Sequence, residues 1–197
     1  LVYILEEDNE GQAQTCLLAE ESINNSEPLF IVNCDNYLDW DEDTFKKLQA
    51  NDQIDGAAFT FQDPKKRTHW CFAEADENNN ITRLEEKKPI SDISLAGGFY
   101  WKKGSDFVKY AKQMIENDVR ASNGEFYLGG VFNLAIQDNK TIFNYEINQM
   151  QSFGTPEELQ EFNNWIKEKN NQMSIEGNAS GISRNLQNAL DELKEGK

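Results

Sequence analysis

The chain has 197 residues, enough for one domain with a full apolar core. Its 35 acidic residues outnumber its 19 lysines and arginines, giving a net charge of −16, which argues against a nucleic-acid partner because phosphate binding needs a basic surface. An aromatic content of 11% excludes a disordered chain, and no apolar run is long enough to cross a membrane.

Predicted strands and helices alternate along the chain. Residues 28–33 form a continuous apolar run, typical of a strand buried on both faces of a parallel sheet. The alternation predicts an α/β fold with a mostly parallel, layered, Rossmann-like sheet. The remaining predicted strands cover residues 1–5, 56–61, 69–75, 81–84, 95–101 and 141–147, and the predicted helices cover 11–24, 41–49, 105–117, 126–136 and 156–167.

The composition changes near residue 170. A polar linker leads to a last amphipathic helix over residues 184–194, which places Leu186, Leu190 and Leu193 on one face. We therefore divide the chain into a domain over 1–169 and a tail over 170–197. Because so short a helix is marginal in isolation, we expect it to dock on its own domain or on a second copy, which would make a homo-oligomer.

The cysteines and the histidine exclude several kinds of site. Cys16, Cys34 and Cys71 stand in apolar or strand-like stretches without metal-ligand spacing, so we expect buried, reduced thiols and a cytoplasmic protein. A single histidine, His69, argues against a histidine-centred triad or a histidine-rich metal site.

The apolar run over residues 28–33 is followed directly by Asp35. In open α/β sheets ligands bind at the carboxyl ends of the strands, and a carboxylate there can hold a divalent cation against phosphate oxygens. The alternative is an aspartate that only closes a turn by bonding to nearby backbone N–H groups.

Asp39 and Asp41 form a D-x-D pattern, which many glycosyltransferases use to hold Mn²⁺ or Mg²⁺. Because further acidic residues follow and run straight into a predicted helix, we favour a helix-start cluster over a metal site. The pattern leaves open a glycosyltransferase that consumes a nucleotide sugar rather than making one.

Several motifs are weak singly but informative in their order. Together they resemble the sugar-phosphate nucleotidyltransferase family, in particular its branch associated with bacterial surface-polysaccharide precursors. The resemblance extends over residues 1–167 and implies the fold of the nucleotide-diphospho-sugar transferases. It is carried by residues 11–14, Asp35, residues 85–89, Gly97, residues 124–127 and residues 154–157.

The resemblance also implies an activity and a set of site residues. The reaction would transfer a nucleotidyl group from an NTP to a sugar 1-phosphate or similar phosphomonoester and release pyrophosphate. Asp35 would be the catalytic residue and the Mg²⁺ ligand, and Gly11, Gln12 and Gln14 would join it in binding the nucleotide. The sugar phosphate would be bound by Glu86, Lys87, Gly97, Glu125 and Tyr127.

Two departures from the family pattern matter. The glycine-rich phosphate loop is missing, so we expect a domain truncated at its N-terminus that does not turn over substrate alone. Ser152 stands where many members place a second metal-binding aspartate, which weakens the expectation of magnesium. A non-catalytic binding module of the same fold is therefore a further alternative.

Overall fold

A computed structural model describes residues 10–176, with side chains described for residues 10–170. The strand predicted over residues 1–5 and the helix predicted over 184–194, with its docking, lie outside this range. The chain divides into two compact units, Leu1–Met150 and Gln151–Lys197.

The first unit alternates helices and strands, and every predicted element between residues 11 and 147 is found with small shifts at its ends. The predicted helix over residues 11–24 is divided in two, and β2 was not predicted. The elements are α1 (Gln12–Leu17), α2 (Glu20–Ile23), β1 (Leu29–Val32), β2 (Asn36–Asp39), α3 (Glu42–Gln49), β3 (Gly56–Gln62), β4 (Cys71–Ala75), β5 (Ile81–Glu86), β6 (Ile93–Trp101), α4 (Gly104–Glu116), α5 (Leu128–Gln137) and β7 (Ile142–Glu146).

The main sheet has the order β5–β4–β6–β3–β7, with β1 also paired to β6. This layered sheet with its helices confirms the α/β class. The sheet is mixed: β3 and β7 pair in parallel, whereas the other described pairs are antiparallel. The expectation of a mostly parallel arrangement is corrected accordingly for the described strands, because apolar runs report burial and not strand direction.

Strand β1 differs most from its prediction. It runs antiparallel to β6, with Leu29 opposite Trp101 and Val32 opposite Gly98. Its side chains are only half-buried, and Val32 is 46% exposed, so a strand buried on both faces of a parallel sheet was the wrong prediction. The run is apolar because alternate side chains pack on two different apolar clusters.

Those two clusters lie on opposite faces of the sheet, since consecutive residues of β6 alternate between them. Trp101 belongs to the cluster that includes Phe107 of α4 and Phe132 of α5. Tyr100 belongs to the other cluster, against which Phe45 of α3 packs. Helices thus cover both faces of the sheet.

In the second unit, α6 (Pro156–Glu176) begins with reciprocal capping. The Thr155 N–H donates to Glu158 Oε2 at 3.1 Å, and the Glu158 N–H donates to Thr155 Oγ1 at 3.2 Å. The helix continues beyond residue 170, where the sequence predicted a linker. A further strand, β8 (Gln149–Ser152), runs across the boundary between the units. Within the described residues, no helix combines the length and the apolar character needed to cross a membrane.

Candidate functional site

A cleft of about 520 Å³ opens in the first unit where three distant segments of the chain meet. The segments are the start of α1, the end of β1 with the turn after it, and the residues around the start of α5. The cleft is lined by Gly11, Gln12, Thr15, Cys16, Ile31, Val32, Asn33, Cys34, Asp35, Glu125, Tyr127 and Leu128. The structure therefore brings together Gly11, Gln12, Asp35, Glu125 and Tyr127 from the set named by the sequence.

The start of α1 is joined directly to the segment before α5. The Phe126 N–H donates to the Glu10 carbonyl at 2.9 Å, and the Ala13 N–H donates to the Phe126 carbonyl at 3.0 Å. Gly11 between them has a φ of 132°, and a Cβ there would lie 2.6 Å from the Phe126 nitrogen. Only glycine permits this close approach of two backbones.

The two glutamines of α1 have different surroundings. Gln12 lines the cleft, whereas the Oε1 atom of Gln14 accepts a hydrogen bond from the Glu10 N–H at 2.6 Å. The structure thus places Gln14 at the helix start rather than in the cleft lining.

Asp35 lies in the turn after β1, exposed and in the cleft lining. Within the described residues, no group of three or more His, Cys, Asp or Glu side chains could hold a metal ion on its own. The cleft lining contains the carboxylates of Asp35 and Glu125, and further oxygen ligands would have to come from a substrate or from water.

The turn that carries Asp35 is fixed against Gly97 of β6. The Asn33 N–H donates to the Gly97 carbonyl at 2.9 Å, and Asn36 Nδ2 donates to the Ala96 carbonyl at 3.1 Å. Gly97 has a φ of 88°, and a Cβ there would lie within 2.8 Å of both asparagine amides. The sequence predicted that the sugar phosphate contacts Gly97, but the side-chain amides of Asn33 and Asn36 occupy the space next to it.

Lys87 and Tyr127 connect the end of β5 to the cleft. Lys87 Nζ donates to the Tyr127 hydroxyl at 3.1 Å and lies 5.3 Å from the centre of its ring. Asn123 Nδ2 donates to the same hydroxyl at 2.9 Å. Lys87 is absent from the cleft lining. It is connected to the cleft through its hydrogen bond to Tyr127, which does line the cleft.

Glu86 lies in a smaller pocket of about 130 Å³, which also borders Tyr127 and contains Cys71. Burial raises the pKa of the Glu86 carboxyl, while its hydrogen bond with Cys71 and the nearby Lys87 charge oppose that rise. Burial, followed by the neighbouring Glu86, raises the pKa of the Cys71 thiol. The pocket therefore favours the protonated forms of both groups.

The cysteines follow their prediction in part. All three are free, and Cys16 and Cys71 are half-buried, but Cys34 is exposed at the cleft. The expectation that all three thiols are buried is thus wrong for Cys34, because the turn after β1 leaves the core. Burial raises the pKa of Cys16 to about 11.

The D-x-D pattern is placed outside the cleft. Asp41 is the N-cap of α3, and its carboxylate accepts a hydrogen bond from the Thr44 N–H at 2.6 Å. A hydrogen bond with the Thr44 side chain, followed by the one from the Thr44 N–H, holds the pKa of Asp41 below its ordinary value. Asp39 is the last residue of β2, so the helix start favoured from the sequence is confirmed for Asp41 only.

Sequence reasoning missed Arg120, which holds the segment before α5 in place. Its guanidinium donates to the Gly124 carbonyl at 2.7 Å, pairs with Glu10 at 3.0 Å and lies 4.1 Å from the centre of the Phe126 ring. An isolated arginine in a polar loop has no distinguishing pattern, so no sequence signal could have found it.

Comparison with known proteins gives a family match and several structural matches. A sequence model of the family described as nucleotidyl transferase matches residues 1–169. No curated protein matches the chain.

Among solved structures, a nucleoside-diphosphate-sugar pyrophosphorylase from Vibrio cholerae RC9 is 22% identical with a TM-score of 0.63, covering 80% of this chain and 66% of that one. A putative glucose-1-phosphate thymidylyltransferase from Bacillus anthracis, in complex with sucrose, is 16% identical with a TM-score of 0.64, covering 81% and 62%. A UDP-glucose pyrophosphorylase complexed with UDP-glucose is 15% identical with a TM-score of 0.71, covering 85% and 66%.

At these identities the structural matches establish the fold. The chain spans 62% to 66% of the length of these solved proteins.

Proposed function

Since this chain belongs to the nucleotidyl transferase family, we propose that its cleft binds a nucleoside triphosphate and a sugar 1-phosphate for joining into a nucleotide sugar, although we do not expect this chain alone to turn them over. The observation that carries this proposal is the meeting of Gly11, Asp35, Glu125 and Tyr127 in one cleft, from segments far apart in the chain. Separate structural roles for each motif give no reason for them to converge.

The proposed reaction is an in-line displacement at the α-phosphorus. A phosphate oxygen of the sugar 1-phosphate forms a new bond to that phosphorus, and the bond to the bridging oxygen breaks. The electron pair of the broken bond leaves with pyrophosphate. Such chemistry depends mainly on positioning the two substrates and offsetting their negative charge.

The residues of this chain supply positioning and a local positive charge. Gly11 and Gln12 would lie against the nucleotide. Glu86 and Glu125 would accept hydrogen bonds from sugar hydroxyls through their carboxyl oxygens. Lys87 would offset the acceptor phosphate, which explains how a chain of net charge −16 can bind anions locally.

Asp35 suits a Mg²⁺ ion that arrives with the nucleotide. Mg²⁺ in phosphate-transfer sites is commonly held by one or two carboxylates, several waters and the substrate phosphates, which an exposed Asp35 in the cleft lining can satisfy. When bound, the ion would offset charge on the phosphate oxygens. Ser152 belongs to the second unit, where its hydroxyl donates to Glu158 at 3.0 Å.

We also propose, from the resemblance to the polysaccharide-precursor branch, that the nucleotide sugar serves surface-polysaccharide synthesis in a bacterial cytoplasm. The glycosyltransferase alternative lacks support, because Asp39 at the end of β2 and Asp41 at the start of α3 are both outside the cleft lining.

The test is calorimetric titration of the purified chain with nucleoside triphosphates and MgCl₂, followed by ³¹P NMR after glucose 1-phosphate is added. Asp35→Asn should weaken Mg²⁺-dependent nucleotide binding about tenfold or more, equivalent to about 1.4 kcal/mol. The matched control, Asp39→Asn, removes a carboxylate outside the cleft and should leave binding unchanged.

Equal nucleotide affinity in wild type and Asp35→Asn would contradict the assignment. Loss of metal-dependent binding in Asp39→Asn alone would favour the glycosyltransferase, and so would release of a nucleoside diphosphate when a nucleotide sugar is supplied in place of the two substrates.

A further inference from the structure

Lys87 is held by the hydroxyl group of a tyrosine rather than by a carboxylate. Within the described residues it belongs to no ion pair, although lysines elsewhere pair with carboxylates at 2.6 to 3.7 Å. Its side-chain partner is the Tyr127 hydroxyl, which accepts from Lys87 Nζ at 3.1 Å.

A phenol and a carboxylate fix a lysine with different consequences. A carboxylate partner would orient the ammonium group but would also cancel its charge. A neutral phenol oxygen accepts one N–H and leaves both the positive charge and the other two N–H donors available. The aromatic ring 5.3 Å from Lys87 Nζ adds a weak cation–π attraction without neutralising the charge.

The Tyr127 hydroxyl is itself fixed from a second side. It accepts a hydrogen bond from Asn123 Nδ2 at 2.9 Å, which restricts the direction from which Lys87 can approach. The Lys87 backbone is also constrained, with a φ of 58° and its N–H donating to the Trp70 carbonyl at 2.9 Å. Both ends of the lysine side chain are therefore anchored.

We propose that Tyr127 is a positioning residue for Lys87, holding its ammonium group beside the cleft, outside any direct carboxylate ion pair, as a positive charge for a phosphate monoester dianion. This inference rests on the proposed function, because it concerns the acceptor side of the same cleft. It assigns Tyr127 a role in placing charge, in addition to forming part of the cleft wall. The hydrogen bond that Lys87 donates to Tyr127 also raises the pKa of Lys87, and the nearby Glu86 and Glu125 charges add to that rise.

The chain contains a matched control pair. Lys109 Nζ contacts the Tyr110 hydroxyl at 3.2 Å and lies 4.4 Å from its ring, but it also pairs with Asp138 at 2.8 Å. Tyr110→Phe therefore removes an equivalent lysine–phenol contact outside the cleft.

The experiment uses protein labelled with ¹³C at the lysine ε-carbons, with the Lys87 signal assigned by its loss in Lys87→Arg. The pKa of Lys87 is measured by NMR titration in wild type, Tyr127→Phe and Tyr110→Phe. The affinity for glucose 1-phosphate is measured on the same samples at neutral pH, together with the affinity for a nucleoside triphosphate.

In Tyr127→Phe we expect the pKa of Lys87 to fall toward its ordinary value and the glucose 1-phosphate affinity to fall about three- to tenfold, on the order of the net contribution of one hydrogen bond. Nucleotide affinity should change little, and Tyr110→Phe should change none of the three. An unchanged Lys87 titration together with unchanged glucose 1-phosphate affinity in Tyr127→Phe overturns the inference.

Failure of the proposed function has a different signature. If Tyr127→Phe shifts the Lys87 titration but glucose 1-phosphate binds to none of the proteins, the positioning contact stands and the acceptor role is overturned. Should Tyr127→Phe not fold, nuclear Overhauser effects between the Lys87 ε-methylene and the Tyr127 ring in wild type decide the contact, and their absence overturns it.

Discussion

Substituting Gly11 by alanine tests the junction that forms one wall of the cleft. The alanine Cβ would lie 2.6 Å from the Phe126 nitrogen and 2.7 Å from its carbonyl oxygen, which are backbone atoms that cannot rotate away. The φ of 132° with ψ of 176° is also a conformation that is essentially restricted to glycine. Gly11→Ala must therefore separate α1 from the segment before α5.

The magnitude follows from two contributions. Backbone strain at such a position costs about 1–3 kcal/mol. Opening the junction weakens the two hydrogen bonds that join Phe126 to Glu10 and Ala13, each contributing about 0.5–1.5 kcal/mol. We expect Gly11→Ala to lower the free energy of unfolding by about 2–6 kcal/mol, a large part of the ~5–15 kcal/mol typical of a domain.

Gly124→Ala is the matched control. Gly124 also has a positive φ, 87°, but a Cβ there has no atom within 4 Å. It should cost only the backbone strain, about 1–2 kcal/mol, and should preserve nucleotide affinity.

Urea unfolding at neutral pH gives both stabilities, and calorimetric titration gives nucleotide affinity. We expect Gly11→Ala to be the less stable variant and to lose nucleotide binding. Equal destabilisation by the two substitutions, with binding intact in both, would refute the reasoning, because the close contact with Phe126 would then have no measurable consequence.

Two further predictions concern polar groups that stabilise the first unit. A hydrogen bond to Asp55, opposed by burial and reinforced by Asp106, raises the pKa of Lys140 from its ordinary 10.5 to about 12. The stabilisation from Lys140 should therefore be complete below pH 10.5 and lost as the pH rises through about 12. Urea unfolding of wild type and Lys140→Met measures this stabilisation as the difference between their free energies of unfolding. A difference that does not shrink from pH 9 to pH 12 would contradict the prediction. Thr60→Val removes a buried hydroxyl that donates to Asn144 Oδ1 at 2.6 Å and should cost about 1–3 kcal/mol; a change in the urea midpoint too small to resolve would show that this hydrogen bond contributes nothing net.

Much of the fold follows from local properties of the sequence. Apolar periodicity predicts α4 because its buried side chains recur at helical spacing over thirteen residues. The apolar run ends near Val32 and polar residues follow, which predicts that Asp35 lies in the turn after a strand. Local hydrogen bonds, such as those of Asp41 at the start of α3, need only neighbouring residues and were therefore also predictable.

The order of the motifs predicted site residues, which apolar periodicity alone could not. It predicted one site containing Gly11, Asp35, Glu125 and Tyr127, and these four residues line one cleft, because a resemblance carries spatial information that no single motif contains. Gly97 was predicted to bind the sugar phosphate, and its contacts with Asn33 and Asn36 were not foreseen.

Tertiary structure decided the direction of β1, the surroundings of Gly97 and the partner of Lys87. An apolar run such as that of β1 shows that side chains are buried, yet antiparallel and parallel neighbours bury them equally well. Gly97 meets asparagines about sixty residues away, and Lys87 meets a tyrosine forty residues away. Such contacts depend on how the strands are ordered in the sheet, and strand order is set by the packing of the whole chain rather than by any one segment.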